Sequence, residues 1–176
     1  MSGRRLAAAL AAPVAIGTLL LAGCEDAPRT TALRRVQDPW ALVHGAGLVP
    51  VIVRGRPAAA SADAVEDVVF RFVEAAVTWT ATPPFVRGGA GDAAAAMRLV
   101  FVFNEGGEPC GGPAIGGEPR PDGEIVLLAV LCDGREMLAR VDGRLGRSAG
   151  LDDRRFRRLV TQATRDLLAP PPAPQP

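Results

Sequence analysis

Two short apolar runs decide the fold of this chain: Leu99-Val100-Phe101-Val102-Phe103 and Ile125-Val126-Leu127-Leu128-Ala129-Val130-Leu131. Each run has the length of a strand and lacks the polar alternation of a strand that faces water on one side. We therefore predict two central strands that are buried on both faces. Residues 104–123, between them, are rich in glycine and proline, which predicts a long loop.

Weaker strand signals flank this pair. Residues 48–53 are predicted to form a strand that either lies at an edge of the sheet or has Pro50 at its start, because Pro50 has no N–H to donate to a neighbouring strand. Asp133-Gly134 is typical of a hairpin turn and leads into a partly alternating strand at residues 137–141. Asp142-Gly143 then predicts the turn that ends this strand.

The spacing of apolar residues predicts two amphipathic helices. The first runs to about Val77, with Ser61 or Asp63 as its N-cap. The second runs from about Asp152, as its N-cap, to Leu168. In both segments apolar residues recur at steps of three and four, which gives each helix one face to bury.

The order β-α-β-β-β-α indicates an α+β domain, with a small sheet of about four strands and two helices packed on one face. A length of 176 residues fits one such domain. We expect residues 99–103 and 125–131 to pair as an antiparallel hairpin, with the long loop folded back over the sheet. A parallel arrangement of these two strands stays open as the alternative.

The N-terminus has the pattern of an export signal. Arg4 and Arg5 precede an apolar stretch from Leu6 to Ala22. As a helix this stretch would span about 26 Å, which is less than the roughly 30 Å hydrocarbon core of a bilayer. Length and flanks therefore favour a cleaved signal over a permanent membrane span.

The stretch ends in Leu21-Ala22-Gly23-Cys24, which resembles the lipobox of bacterial lipoproteins. The resemblance implies cleavage before Cys24, a diacylglycerol thioether on Cys24 and acylation of the new amino terminus, with palmitate as a typical acyl chain. Several acyl chains would anchor the protein stably, whereas one would bind only marginally. The alternative is an ordinary secretory signal with an incidental cysteine.

This resemblance organises the chain into four parts. We expect a signal peptide at residues 1–23, a lipidated tether at 24–46, one α+β domain at 47–168 and a disordered proline-rich tail at 169–176. In enterobacterial lipoproteins an Asp directly after the lipidated cysteine signals retention in the inner membrane. This chain has Glu25 there, and we expect a periplasm-facing protein in the outer rather than the inner membrane.

The two remaining cysteines, Cys110 and Cys132, form an even pair in an exported chain, which predicts a disulfide. Closing this loop stabilises the fold by roughly 3 kcal/mol in the chain-entropy model. A zinc site is the weaker alternative, because His44 is the one histidine that could join the pair and zinc needs three or four protein ligands. A redox role lacks the C-x-x-C spacing.

The sequence contains no motif that predicts catalysis, a cofactor or a metal. No G-x-S-x-G nucleophile motif occurs, and His44 is expected to be an exposed loop residue. The glycines around Cys110 lack the strand–turn–helix order of a phosphate-binding loop, and a covering loop that also serves as a recognition surface is expected instead. Acids that converge in space, as in a glycoside hydrolase, stay open as an alternative.

The densest charge cluster lies at the start of the second predicted helix. It consists of Arg154, Arg155, Arg157 and Arg158. These side chains are expected to form a solvated helix face, with contact to anionic lipid headgroups or to a partner as the functional alternative. A formal net charge of +1 argues against nucleic acid as a partner.

Together these observations predict a cell-envelope lipoprotein whose domain binds an envelope protein or component and does not catalyse a reaction. The expected partners are the membrane, through the lipid, and an unknown envelope component. The alternatives are a small envelope hydrolase that uses clustered acids, and an accessory protein that contacts anionic lipid through residues 154–158.

Overall fold

The computed structural model describes residues 27–89, 95–112 and 116–171. The predicted signal peptide, the lipid attachment site at Cys24 and the end of the proline-rich tail from residue 172 lie outside the described residues. None of the described helices is long and apolar enough to cross a membrane.

The described residues form six strands and three helices. The strands are β1 (Arg29–Arg34), β2 (Val49–Arg54), β3 (Phe85–Arg87), β4 (Met97–Phe103), β5 (Ile125–Asp133) and β6 (Glu136–Leu145). The helices are α1 (Pro39–Gly45), α2 (Ala62–Ala76) and α3 (Arg154–Leu168).

All six strands join one mixed sheet in the order β1-β6-β5-β4-β2-β3. Along this order the pairs β1–β6, β6–β5 and β5–β4 are antiparallel, whereas the pairs β4–β2 and β2–β3 are parallel. The two apolar runs are therefore antiparallel neighbours, with Phe101 opposite Ala129. The expected antiparallel pairing of these two strands is confirmed, and the parallel alternative is excluded.

The expected sheet of about four strands with two helices is wrong, because the sheet has six strands and carries three helices. Both β1 and α1 fall within residues 24–46, which were expected to form a tether. β1 is mostly exposed and pairs with β6 through its backbone, so its sequence RTTALR has no apolar pattern. α1 has seven residues and β3 has three, which is too few for periodicity to reveal either element.

β2 lies inside the sheet, so an edge strand is wrong, whereas the alternative of a strand start fits Pro50, which is the second residue of β2. The Val49 N–H donates to the Pro84 carbonyl at 2.8 Å, which joins β2 to the β3 side. The backbone nitrogen of Pro50 faces the other neighbour, β4. The ladder with β4 begins one residue later, at Val51 opposite Leu99. The missing N–H of Pro50 therefore breaks no ladder hydrogen bond.

The turn predicted at Asp142-Gly143 is also wrong, because β6 continues through these residues to Leu145. A Cβ atom at Gly143 would lie 2.9 Å from Cδ1 of Leu159. Glycine at this position gives room to the Leu159 side chain where α3 packs on the sheet, and the chain does not turn there.

The three helices cover one face of the sheet, here named the helix face. Phe101 and Phe103 of β4 are fully buried beneath them. The Phe156 ring of α3 lies 5.8 Å from the Phe103 ring and 6.2 Å from the Phe72 ring of α2. Ser61 caps α2, and Asp153, one residue later than predicted, caps α3.

β1 is fastened to the end of α3. The Arg34 guanidinium donates to the carbonyl of Asp166 at 2.5 and 2.8 Å and to that of Ala169 at 3.0 Å. The Thr30 hydroxyl donates to the Asp166 carboxylate at 2.5 Å. A cation beside the carbonyl groups that end a helix is electrostatically favourable, so β1 and α3 stabilise each other.

Candidate functional site

The opposite face of the sheet, here named the loop face, is covered by the loop between β4 and β5. Cys110 in this loop forms a disulfide with Cys132 at the end of β5, with 5.4 Å between the Cα atoms. The returning part of the loop is held by its backbone, because the Gly117 N–H donates to the Phe103 carbonyl and the Gly117 carbonyl accepts from Arg56. The loop thus doubles back over the sheet, as the antiparallel hairpin requires.

A buried cation holds the loop as well. Arg98 is 4% exposed, and its guanidinium donates to the carbonyls of Ala95, Cys110 and Gly134 at 2.6, 2.8 and 2.8 Å. Burial lowers the pKa of Arg98, and the charge of Asp133 partly opposes this shift. One guanidinium therefore ties the disulfide loop to the turn between β5 and β6.

A groove of about 330 Å³ lies between this loop and β6. Its apolar floor is formed by Leu128, Val130 and Met137. Its charged rim is formed by Arg35, Glu108, Arg135, Glu136 and Arg140. The groove thus has the apolar floor and the few surrounding polar groups that are typical of a ligand site.

The three rim arginines differ in their partners. Arg140 makes a bidentate pair with Asp142, at 2.9 Å from Nε and 2.6 Å from Nη2, and this hydrogen bonding raises the pKa of Arg140. Within the described residues, the guanidinium groups of Arg35 and Arg135 make no hydrogen bond or ion pair. Two guanidiniums are therefore available to a ligand at the groove.

The chemistry of the groove favours binding. A ligand with an apolar body could lie on the floor while its carboxylate or phosphate group accepts hydrogen bonds from Arg35 and Arg135. The described residues that line the groove include two carboxylates, Glu108 and Glu136, but no serine, histidine or free thiol. The disulfide and Arg98 fix one wall, so that little ordering is required when a ligand binds.

The arginine cluster at the start of α3 is divided by its contacts. Arg155 pairs with Asp153 at 2.9 Å. The Arg157 guanidinium lies over the Phe72 ring, 5.7 Å from its centroid. The remaining two members, Arg154 and Arg158, are exposed. The four residues therefore do not present one uniform surface to a lipid or a partner.

Asp153, the N-cap of α3, is strongly stabilised as a carboxylate. It accepts hydrogen bonds from the Arg155 side chain, from the Arg155 N–H at 2.8 Å and from the Ala149 N–H at 3.0 Å. The Arg155 guanidinium in particular holds the pKa of Asp153 well below its usual range. These contacts identify Asp153 as a structural carboxylate and not as a proton donor near neutral pH.

His44 is exposed in the last turn of α1, with its ring 6.2 Å from that of Trp40. Across the described residues, no group of three or more histidine, cysteine or acidic side chains is placed to hold a metal ion. His44 is thus next to an aromatic side chain and not in the groove.

The sequence did not reveal the groove, because its parts come from distant segments. Arg35 is brought there by β1, an element with no apolar pattern, and Arg135 lies in the turn between β5 and β6. One signal was present: Arg98 is the single charge at the start of the apolar run of β4. A charge in a strand that is buried on both faces predicts a buried partner, which here is the loop.

No known protein-family model matches this chain. No curated protein matches it either. Among solved structures, the chain resembles the PelC dodecamer from Paraburkholderia phytofirmans, with a TM-score of 0.43 and 14% identity over 84% of this chain and 99% of that chain. A single-residue variant of the same dodecamer gives 0.42 and 13%, over 81% of this chain and 98% of that chain. A likeness at this level assigns no activity to this chain.

Proposed function

We propose that this chain is a lipid-anchored module of the bacterial cell envelope, that it faces the periplasm from the outer membrane, and that it binds an envelope component in the groove. The lipobox-like Leu21-Ala22-Gly23-Cys24 supports export and anchoring. The disulfide between Cys110 and Cys132 is consistent with an oxidising compartment.

The preorganised groove carries the binding part of the proposal. Its wall is fixed by a covalent bond and by Arg98. Its floor exposes Met137 to a ligand between Arg35 and Arg135, whose guanidiniums have no partner among the described residues. A fixed wall, an apolar floor and available charges are the elements of a recognition site. The proposed function is therefore binding, and the proposed ligand carries an anionic group next to an apolar body.

In-cell crosslinking tests the groove. A photo-reactive residue placed at Arg135, on the rim, is expected to capture a specific envelope component. The matched control is the same residue placed at Gln162, which is exposed on α3 on the other side of the sheet. Replacing Cys110 and Cys132 together by Ala should weaken the capture. The same products from both positions, or none from Arg135, would contradict the proposal.

Two further measurements separate its parts. The intact mass of the mature protein is expected to include the acyl chains, and Cys24→Ser should remove them. A hydrolase would use Glu108 and Glu136, which line the same groove. Turnover of peptidoglycan, lipid or ester substrates by the purified protein, lost in Glu108→Gln or Glu136→Gln, would replace binding by catalysis.

A further inference from the structure

One end of the sheet, where β1 begins and β6 ends, is rich in arginine. The anchor-end cluster consists of Arg29, Arg120, Arg144 and Arg147. Arg29 is opposite Arg144 in the ladder between β1 and β6. The Glu124 carboxylate lies 2.8 Å from Nη1 of Arg120 and 3.8 Å from Nη1 of Arg144. Arg147 lines a cleft of about 490 Å³ together with Glu124, so Glu124 connects Arg147 with Arg120 and Arg144 at this end of the sheet.

The two acids of the cleft, taken among the described residues, do not neutralise the cluster. Asp122 is the second acid of the cleft, and its carboxylate accepts a hydrogen bond from the Glu124 N–H at 3.0 Å. Among the described residues of this surface, four guanidiniums thus face two carboxylates. The Arg144 side chain is 73% exposed, so it is open to an external anion.

Arg29 and Arg144 repel each other, and the Glu124 carboxylate, 3.8 Å from Arg144 and shared with Arg120, offsets this repulsion only in part. Like charges directly opposite each other on neighbouring strands destabilise a sheet. A phosphate group between the two would remove the repulsion and accept hydrogen bonds from both guanidiniums. The position of the pair therefore indicates an anionic partner.

The length of the chain before β1 indicates where that partner lies. Cys24 is five residues before Arg29, and five extended residues span at most about 18 Å. β6 has ten residues, which corresponds to roughly 33 Å along the sheet. A lipid on Cys24 therefore keeps the anchor-end cluster near the membrane, whereas the groove extends from Leu128 and Arg140, in the middle of the sheet, to the turn between β5 and β6 at the other end.

Resting on the lipid anchoring proposed above, we infer that the anchor-end cluster docks on anionic phospholipid headgroups of the leaflet that holds the Cys24 lipid. Each arginine near an anionic surface favours the docked state about fivefold. When this end is docked, the strands extend away from the bilayer surface and the groove faces the periplasm. The anchor fixes the location of the domain, and the cluster fixes its orientation.

Fluorescence quenching in vesicles tests this orientation. The mature lipidated protein is labelled at Thr31→Cys, next to the cluster, or at Gln37→Cys, beyond the other end of β1; both native residues are exposed. It is reconstituted into vesicles of phosphatidylcholine, with or without phosphatidylglycerol, that contain a brominated quencher lipid. Phosphatidylglycerol should increase quenching at position 31 but not at position 37, and added salt should reverse the increase.

Charge-matched variants identify the residues responsible. Arg29→Gln together with Arg144→Gln should lower the ratio of docked to undocked domains about 30-fold. The control is Arg35→Gln with Arg135→Gln, which removes the same charge at the other end and should retain docking. Thermal unfolding checks that the folds are intact; the Arg29/Arg144 variant should be as stable as the parent or more stable, because a repulsion is removed.

The inference would be overturned by equal quenching at position 31 on both kinds of vesicle, or by equal losses of docking in both double variants. Shielding of position 31 in detergent alone would also overturn it, because a second copy of the chain would then cover this face. Failure of the proposed anchoring is distinguishable. It appears in the intact mass as a protein without acyl chains, whereas lipidated protein that does not respond to phosphatidylglycerol overturns only the docking.

Discussion

The helix face and the loop face of the sheet are both buried, but by different means. On the helix face, side chains such as Phe101 and Leu131 pack beneath three helices. On the loop face a small cluster of apolar residues lies beneath a glycine- and proline-rich loop, which the disulfide and Arg98 hold in place. The difference shows that a loop can close one face of a sheet with few apolar contacts when covalent and charge-assisted bonds fix it.

The largest expected effect compares two leucines of the same strand. Leu131 of β5 is fully buried on the helix face, and Leu128 is buried on the loop face. Leu131→Ala should lower the free energy of unfolding by about 4 kcal/mol and Leu128→Ala by about 2 kcal/mol, because a loop collapses into a cavity more readily than packed helices do. Urea denaturation measures both, and equal losses would contradict the contrast between the faces.

Removal of the disulfide should affect the loop face alone. Replacing Cys110 and Cys132 together by Ala is expected to lower the free energy of unfolding by about 3 kcal/mol, through the entropy of the opened loop. Far-UV circular dichroism should keep its helical signal, since α2 and α3 pack on the opposite face. Loss of that signal under native conditions would show that the two faces are not independent.

A smaller effect is expected from the buried guanidinium. Arg98→Met leaves the carbonyls of Cys110 and Gly134 without their donor, which should lower the free energy of unfolding by about 2 kcal/mol. Hydrogen exchange should accelerate first in the loop. The matched control is Arg140→Met, at a partly exposed arginine; if its loss equals that of Arg98→Met, burial is not the cause.

The smallest effect concerns acid and the helix face. The pKa of Asp153 is depressed in the folded protein, so its contribution to stability is present above its unfolded pKa of about 4 and is lost as the pH falls below that value. Asp153→Ala should lower the free energy of unfolding by about 1 kcal/mol at neutral pH. The difference in the free energy of unfolding between Asp153→Ala and the parent should shrink in acid. The disulfide that holds the loop face does not titrate, so its contribution should stay the same there. Asp152→Ala is the control and should change little.

The sequence predicted the elements that bury a continuous apolar pattern. β4 from Leu99 and β5 up to Cys132 are apolar, and α2 and α3 repeat apolar residues at helical spacing, so each was found close to its observed bounds. In these segments local composition and tertiary burial indicate the same structure.

The remaining elements depend on partners that are distant in the sequence. β1 is a strand because β6 is beside it, and Pro50 is tolerated inside the sheet because of where the β4 ladder begins. Gly143 resembled a turn residue, yet it provides space for Leu159. The groove combines Arg35 with the disulfide loop, and no local pattern connects two such segments.

The fastening of β1 to α3 has a consequence for the order of folding. The contact between Arg34 and Asp166 joins residues 132 positions apart, so β1, although it pairs with β6, lacks its contacts to α3 until that helix has formed. Contacts of such long range form late, because the loop between them must close first. A chain that is truncated before α3 would retain an unfastened N-terminal strand, able to pair with other molecules. Packing of α3 against β1 is thus the last step in the folding of the domain.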